Sequence, residues 1–157
     1  MNTKFQNLPL RSGVGIVLLN KDNKVFVARR IDNPKNFWQM PQGGIDIGEN
    51  FLNAAIRELK EETSIKSVEL IKELDGFTTY ELPSNLLGII WKGKYKGQKQ
   101  KWFVMRFVGK DSEINIKTKK PEFLDWKWTD LNKITEIVVE FKLEVYKKIQ
   151  KEIEKII

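Results

Sequence analysis

Residues 43–65 read GGIDIGENFLNAAIRELKEETSI. A glycine pair opens a polar loop, and Asn50 stands where a helix N-cap belongs, its side chain placed to accept from free first-turn amides. Leu52, Ala55, Ile56 and Leu59 recur at helical spacing and predict a helix from about Phe51 to Thr63. Glu58, Glu61 and Glu62 are three and four residues apart, so one helix face carries all three carboxylates. Like charges so placed repel by roughly a few tenths of a kcal/mol per pair, and a bound cation removes that repulsion. Arg57 is adjacent and able to orient one carboxylate. The Gly43-Gly44 pair lets backbone come close enough for a main-chain carbonyl to join a cation's oxygen shell. A solvated acidic helix face is the competing explanation of the three glutamates. The wider spacing separates the two. Gly43, Glu49, Arg57, Glu58, Glu61 and Glu62 fall at G-x5-E-x7-R-E-x-x-E-E. Six fixed residues at about 5–7% usage each would match by chance on the order of 10⁻⁷ per start site.

Composition narrows the chemistry further. The chain has no cysteine and no histidine. Disulfides and thiolate metal sites are therefore excluded. A general base must be a carboxylate, a lysine or a tyrosine, and a metal must bind through oxygen, which points to hard cations such as Mg²⁺ or Mn²⁺. The 28 basic residues outnumber the 21 acidic ones, for a net charge of +7. Such a surface favours polyanionic partners, although a composition rich in Lys, Ile and Asn accounts for the excess equally well. The first residues, MNTKFQNLPLRSG, hold no apolar run of signal-peptide length, and no stretch of about 18 apolar residues exists to span a membrane. A cytoplasmic location is expected. The length suits one domain over residues 1–157, with no repeat or linker to divide it.

Outward from the helix, VGIVLL at 14–19 reads as a buried strand, NKDN at 20–23 as a turn, and Val25–Arg29 as the returning strand of a hairpin. Residues 32–50 read as an irregular segment holding Pro34, Pro41, Gly43, Gly44 and Gly48, long enough to expect a function. Further strands are expected near 68–80, 86–95, 102–109 and 123–128. A last amphipathic helix is expected from Ile134 to about Ile153, with Ile134, Val138, Phe141, Val145 and Ile149 on its stripe. Strands with one internal and one terminal helix suggest a mixed sheet covered on both faces.

The stretch 43–65 resembles the Nudix box, G-x5-E-x7-R-E-U-x-E-E-x-G-U with U apolar; Leu59 and Ile65 fill the U positions. Ser64 stands in place of the last glycine, a position suited to a left-handed helix end, and no metal ligand is lost by the change. The resemblance implies an α/β/α sandwich whose loop–helix–loop motif binds one to three Mg²⁺. On this chain it makes Glu58 and Glu62 the main ligands, with Glu61 assisting and the Gly43 carbonyl available to complete the shell. Gly44, Glu49 and Arg57 would support the motif. The implied chemistry is hydrolysis of a phosphoanhydride, with a carboxylate as the base: Glu58, Glu61 or Glu122.

Other segments are similar to the bacterial RNA pyrophosphohydrolase branch of that family, which overlaps with dinucleoside polyphosphate hydrolases. They are WQMPQGG at 38–44, QKQKWF at 98–103, PEFLDWKW at 121–128 and VVEFKLEVYKKI at 138–149, with Arg11 and the pair Arg29-Arg30. The resemblance spans roughly residues 9–150. It implies that Arg11 and Lys142 hold phosphates and that Phe141 and Arg30 stack on a 5′ nucleobase. Gln98 and Lys101 would touch phosphates or backbone, and Glu122 would serve as an acidic ligand or base outside the box. Each has a plainer explanation: Arg30 and Glu122 as surface charges, Phe141 as core. The run Lys92, Lys94, Lys96, Lys99, Lys101, interleaved with Trp91 and Tyr95, reads as one face of a strand, fit either for RNA or for protecting a sheet edge. Phe37 before Trp38-Gln39, and Glu140 beside Phe141, depart from the branch.

The expected function is Mg²⁺- or Mn²⁺-dependent conversion of 5′-triphosphorylated RNA to 5′-monophosphorylated RNA, initiating mRNA decay. The alternative is a diadenosine tetraphosphate hydrolase giving ATP and AMP. A catalytically silent binding module is the third reading, disfavoured by the intact carboxylate set. The expected protein is a monomer whose partner is RNA or a dinucleoside polyphosphate, neither DNA nor a membrane.

Overall fold

The computed structural model describes residues 7–32 and 35–157; Pro34 of the irregular segment and the first residues of the N-terminal stretch lie outside them. Along the chain come β1 (Leu10–Leu19), β2 (Val25–Arg30), β3 (Gln42–Gly44), α1 (Phe51–Thr63), β4 (Val68–Glu73), β5 (Thr78–Glu81), β6 (Gly97–Phe107) and β7 (Phe123–Thr129). Two helices follow, α2 (Ile134–Ile137) and α3 (Leu143–Glu154). The strands form one sheet in the order β4-β6-β1-β2-β7, with β3 also paired to β1 and β5 to β6. β1 and β6 run parallel and the other pairs antiparallel, so the sheet is mixed.

β1 lies at the centre because its apolar run can be buried on both faces. Its side chains alternate between two cores. Val17 and Leu19 join Val27, Trp102, Val104 and the buried residues of α3, namely Val145, Tyr146, Ile149 and Ile153. Val14, Ile16 and Leu18 join Phe26, Phe103, Met105 and the α1 residues Ala54, Ala55 and Leu59. Helices on both faces of a mixed sheet make the expected α/β/α sandwich. Among the described residues no helix is long and apolar enough to cross a membrane.

Helix α1 keeps its predicted bounds for local reasons. The Asn50 side chain accepts from the Asn53 amide at 2.8 Å. Ser64 ends the helix at φ 66°, its amide donating to the Lys60 carbonyl. The buried stripe is rotated from expectation: Ile56 is 42% exposed, while Ala55, Leu59 and Glu62 face inward.

Four other expectations are corrected. The span 68–80 is two strands, turned at Gly76 with φ 70°. Residues 86–95 form no strand; they are part of a looped excursion with turns at Gly88, Trp91, Lys92 and Gly93, all at positive φ. The lysines from 92 to 96 therefore share no strand face. The last helix breaks at Val138 and Val139, both extended, because the Trp38 amide takes the Ile137 carbonyl that would otherwise continue the helix. Finally, the irregular segment contains β3, whose two glycines carry no strand propensity and are placed by pairing with Gly13 and Val14.

Candidate active site

Arg57 organises the loop and the helix of residues 43–65. Its Nε donates to Glu49 Oε2 at 2.8 Å and its Nη2 to Glu49 Oε1 at 2.9 Å. Nη2 also reaches the Gly44 carbonyl at 2.9 Å, and Nη1 reaches Glu58 at 2.9 Å and Glu61 at 3.2 Å. Glu49 accepts in addition from the Asp46 amide. One guanidinium thus ties the loop to the acidic face with charge-assisted bonds. The Arg57 contact, followed by the Asp46 amide, holds the Glu49 carboxyl down at about 2.

The acidic face is itself half inside the protein. Burial pushes the Glu58 carboxyl up, against the opposing pull of Arg57. Glu62 lies on the buried stripe of α1, and among the described residues its Oε2 has no hydrogen-bond partner. Burial raises it well above the usual carboxylate range, and the charge of Glu122 raises it further. Glu122 reaches this place from the start of the β7 segment: its carbonyl accepts from the Ile31 amide, and its carboxylate stands 3.6 Å from Arg30. Gly43 backs directly onto Glu58, and a Cβ there would overlap the Glu58 carboxyl.

Around this face stand the expected substrate residues, with one exception. Arg11 lies beside Gln98 in the β1–β6 register, with its guanidinium against Gly44 and over the Trp91 ring. Arg30 holds Asp32 through two bonds of 2.8 Å. Gln98 is fully buried; it donates to the Gly43 carbonyl at 3.3 Å and accepts from the Tyr80 hydroxyl at 2.9 Å. Lys142 is buried too, donating to Gln39 at 3.2 Å. Burial, then the nearby Arg30, pushes its amine down to about 7. Phe141 is half-buried against Tyr80, so it belongs to the core and the site margin at once. Lys101 is the exception. It alternates to the opposite face of β6 from Gln98, where it meets Glu73, the Gly76 carbonyl and the Phe77 ring. Sequence reading missed Gln39, Gln42 and Tyr80, and it placed Trp91 on a strand rather than against Arg11. Tyr80 and Gln98 are cross-strand partners, a pairing visible only once β5 is set against β6.

The family model described as the NUDIX domain matches residues 9–149. The chain belongs to the Nudix family. It is 72% identical over 157 residues to the RNA pyrophosphohydrolase of Pelagibacter ubique (strain HTCC1062), covering 100% of this chain and 99% of that one. It is 44% identical to the RNA pyrophosphohydrolase of Rickettsia prowazekii (strain Madrid E), covering 99% and 97%. Among solved structures, the E. coli dihydroneopterin triphosphate pyrophosphohydrolase superposes with a TM-score of 0.70 at 22% identity, covering 89% of this chain and 96% of its own. A C. elegans Ap4A hydrolase does so at 0.63 and 20%, covering 91% and 98%. At such identities these structures show the shared fold alone. The chain is a Nudix hydrolase acting on pyrophosphate bonds.

Nudix hydrolases use divalent metal ions, and the residues here fit one. All the donors are oxygen, and the orphaned Oε2 of Glu62 is a ready ligand. Gly43 backs onto Glu58 at its Cα, and its carbonyl accepts from Gln98 at 3.3 Å. Among the described residues no three acidic side chains close on one point, and Arg57 engages Glu58 and Glu61.

Proposed function

We propose that this hydrolase removes pyrophosphate from the 5′ end of triphosphorylated RNA in the cytoplasm, leaving a monophosphate and so opening the transcript to decay. The observation that carries this reading is the 72% identity, end to end, to a relative named RNA pyrophosphohydrolase. Basic groups placed beside the acidic face support it.

Glu58 and Glu62 would hold Mg²⁺ or Mn²⁺, with Glu61, Glu122 and the Gly43 carbonyl able to complete the shell. The bound cation would neutralise phosphate charge and acidify the attacking water. Arg57 keeps Glu58 oriented between loop and helix. Arg11 and Arg30 would bind phosphate oxygens, and Lys142 adds a third cation when protonated. Arg30 and Phe141 flank the 5′ base. Water adds to phosphorus and the anhydride P–O bond breaks. The leaving pyrophosphate keeps the electron pair of the broken α–β bond, while a carboxylate takes the water proton. Glu122 is suited to that last step. It is exposed, whereas Glu58 is engaged by Arg57 and Glu62 is buried.

The test is a side-by-side assay with Mg²⁺ of a short 5′-triphosphorylated RNA and diadenosine tetraphosphate, with Glu62→Gln as control. Conversion of the RNA to a 5′-monophosphate, abolished in the variant, is expected. Rapid turnover of the dinucleotide alone would overturn the RNA reading.

A further inference from the structure

The segment between β5 and β6 takes no part in the chemistry above. It leaves the sheet at Leu82, whose amide donates to the Lys96 carbonyl at 2.8 Å, and its other root is held where the Lys96 amide donates to Pro9 at 3.0 Å. Irregular loops of this length in a small domain are usually functional. The residues 83–96 include no acidic side chain.

The loop is held in a demanding conformation. Trp91 and Lys92 both have positive φ, 52° and 58°, in a region that side-chain-bearing residues seldom occupy. Gly93 packs on Gly88 so closely that a Cβ would lie 2.9 Å from the Gly88 carbonyl oxygen. Tyr95 meets the Trp91 ring edge-on at 6.2 Å, and the Arg11 guanidinium covers that ring at 5.3 Å. Arg11 in turn rests against Gly44, whose carbonyl is bound by Arg57, which holds Glu58. An unbroken run of contacts therefore links the catalytic carboxylates to Trp91.

The charges on the loop sort themselves. Lys96 pairs with Glu81 at 3.6 Å. Further on, Lys99 and Lys101 cover the Phe77 ring. Lys92 and Lys94 are exposed, and among the described residues neither makes an ion pair. Two unneutralised cations thus flank Gly93, next to two aromatic rings, on a loop locked to the edge of the acidic face.

We infer that this loop is the docking surface for the RNA chain downstream of the cleaved 5′ end, with Lys92 and Lys94 on its backbone phosphates and Trp91 and Tyr95 beside its bases. This rests on the RNA reading above. The chemistry suits a strand rather than a small anion. The two lysines sit on an open surface without convergent polar partners, and a chain of repeated phosphates is what two separated cations beside aromatic rings recognise. A dinucleoside polyphosphate has no 3′-linked backbone phosphates and gains nothing from these lysines.

The test compares a 5′-triphosphorylated dinucleotide with a 5′-triphosphorylated octanucleotide, using wild type, Lys92→Gln/Lys94→Gln and Lys92→Arg/Lys94→Arg. Wild type should show a lower KM for the octanucleotide. The glutamine pair should raise that KM roughly tenfold and reduce the salt slope of kcat/KM by about 1.4, at about 0.7 per lost phosphate contact. Its kcat and its KM for the dinucleotide should stay put, and the arginine pair should restore the length preference. An octanucleotide KM and salt slope unchanged in the glutamine pair would overturn the inference, as would an equal KM rise for both lengths. Wild type inert on both RNAs but active on diadenosine tetraphosphate would overturn the RNA reading itself, and this inference with it.

Discussion

Arg57 holds Glu49 with two parallel hydrogen bonds, Nε to Oε2 at 2.8 Å and Nη2 to Oε1 at 2.9 Å, and spends its remaining donors on Glu58, Glu61 and the Gly44 carbonyl. Lysine keeps the charge but cannot reproduce the fork. Arg57→Lys should therefore lower hydrolysis by about 10–100-fold, as losses of groups orienting metal ligands do. Steady-state rates across a metal titration check this, and a rate within twofold of wild type would contradict it.

Metal should stabilise the fold through Glu62. Among the described residues its buried Oε2 has no hydrogen-bond partner, so a cation there adds a contact that this oxygen lacks. At about 100 times the dissociation constant, Mg²⁺ or Mn²⁺ should raise the melting temperature by about 5–10 °C. Glu62→Gln should abolish most of that rise. A wild-type melting temperature flat across the titration would count against a preformed site.

Lys142 makes stability depend on pH in a definite direction. Its amine titrates at about 7 in the fold because burial, and then Arg30, disfavour the charge. The unfolded chain holds that proton up to the ordinary lysine value. Between these limits the unfolded state binds more protons, so stability from this group rises with pH and is least below about 7. Lys142→Met lacks the dependence. Its melting temperature should exceed that of wild type most at pH 6, and the gap should close toward pH 9–10. A gap constant with pH would refute the assignment.

Ser64 closes α1 in the left-handed region, and its hydroxyl donates to the Asn115 carbonyl at 2.9 Å. Ser64→Gly relieves the backbone while Ser64→Ala does not, and both lose the hydroxyl. Glycine should therefore be more stable than alanine here by about 1–2 kcal/mol, the reverse of their order inside a helix. Chemical denaturation of the pair measures it. Alanine equal to or above glycine would show that the left-handed end is not under strain.

The acidic face, both ends of α1 and the buried hairpin were legible because each depends on neighbours within a few residues. Helical spacing alone puts Glu58, Glu61 and Glu62 together, Asn50 caps its own helix, and alternation sends β1 into two cores. The excursion at 83–96 was misread because alternating lysines imitate a strand, while the glycines and the Trp91 contact with Arg11 decide otherwise. Lys101 was misplaced for a related reason. Its distance in sequence from Gln98 is odd, so one pleat separates them onto opposite faces.

By itself the sequence determined the available chemistry: oxygen ligands only, no histidine or cysteine to act as base, and a helix that presents three glutamates in one direction. Only the tertiary structure decided what surrounds them. β2 and β7 run antiparallel, bringing Glu122 beside Arg30 and within reach of Glu62. The Trp38 amide breaks the final helix, and Lys142, from the turn that follows the break, is buried against Gln39. Spacing along a chain fixes directions within one element. Which elements meet, and how deeply a charge is buried when they do, depends on strand pairing and packing between residues far apart in sequence.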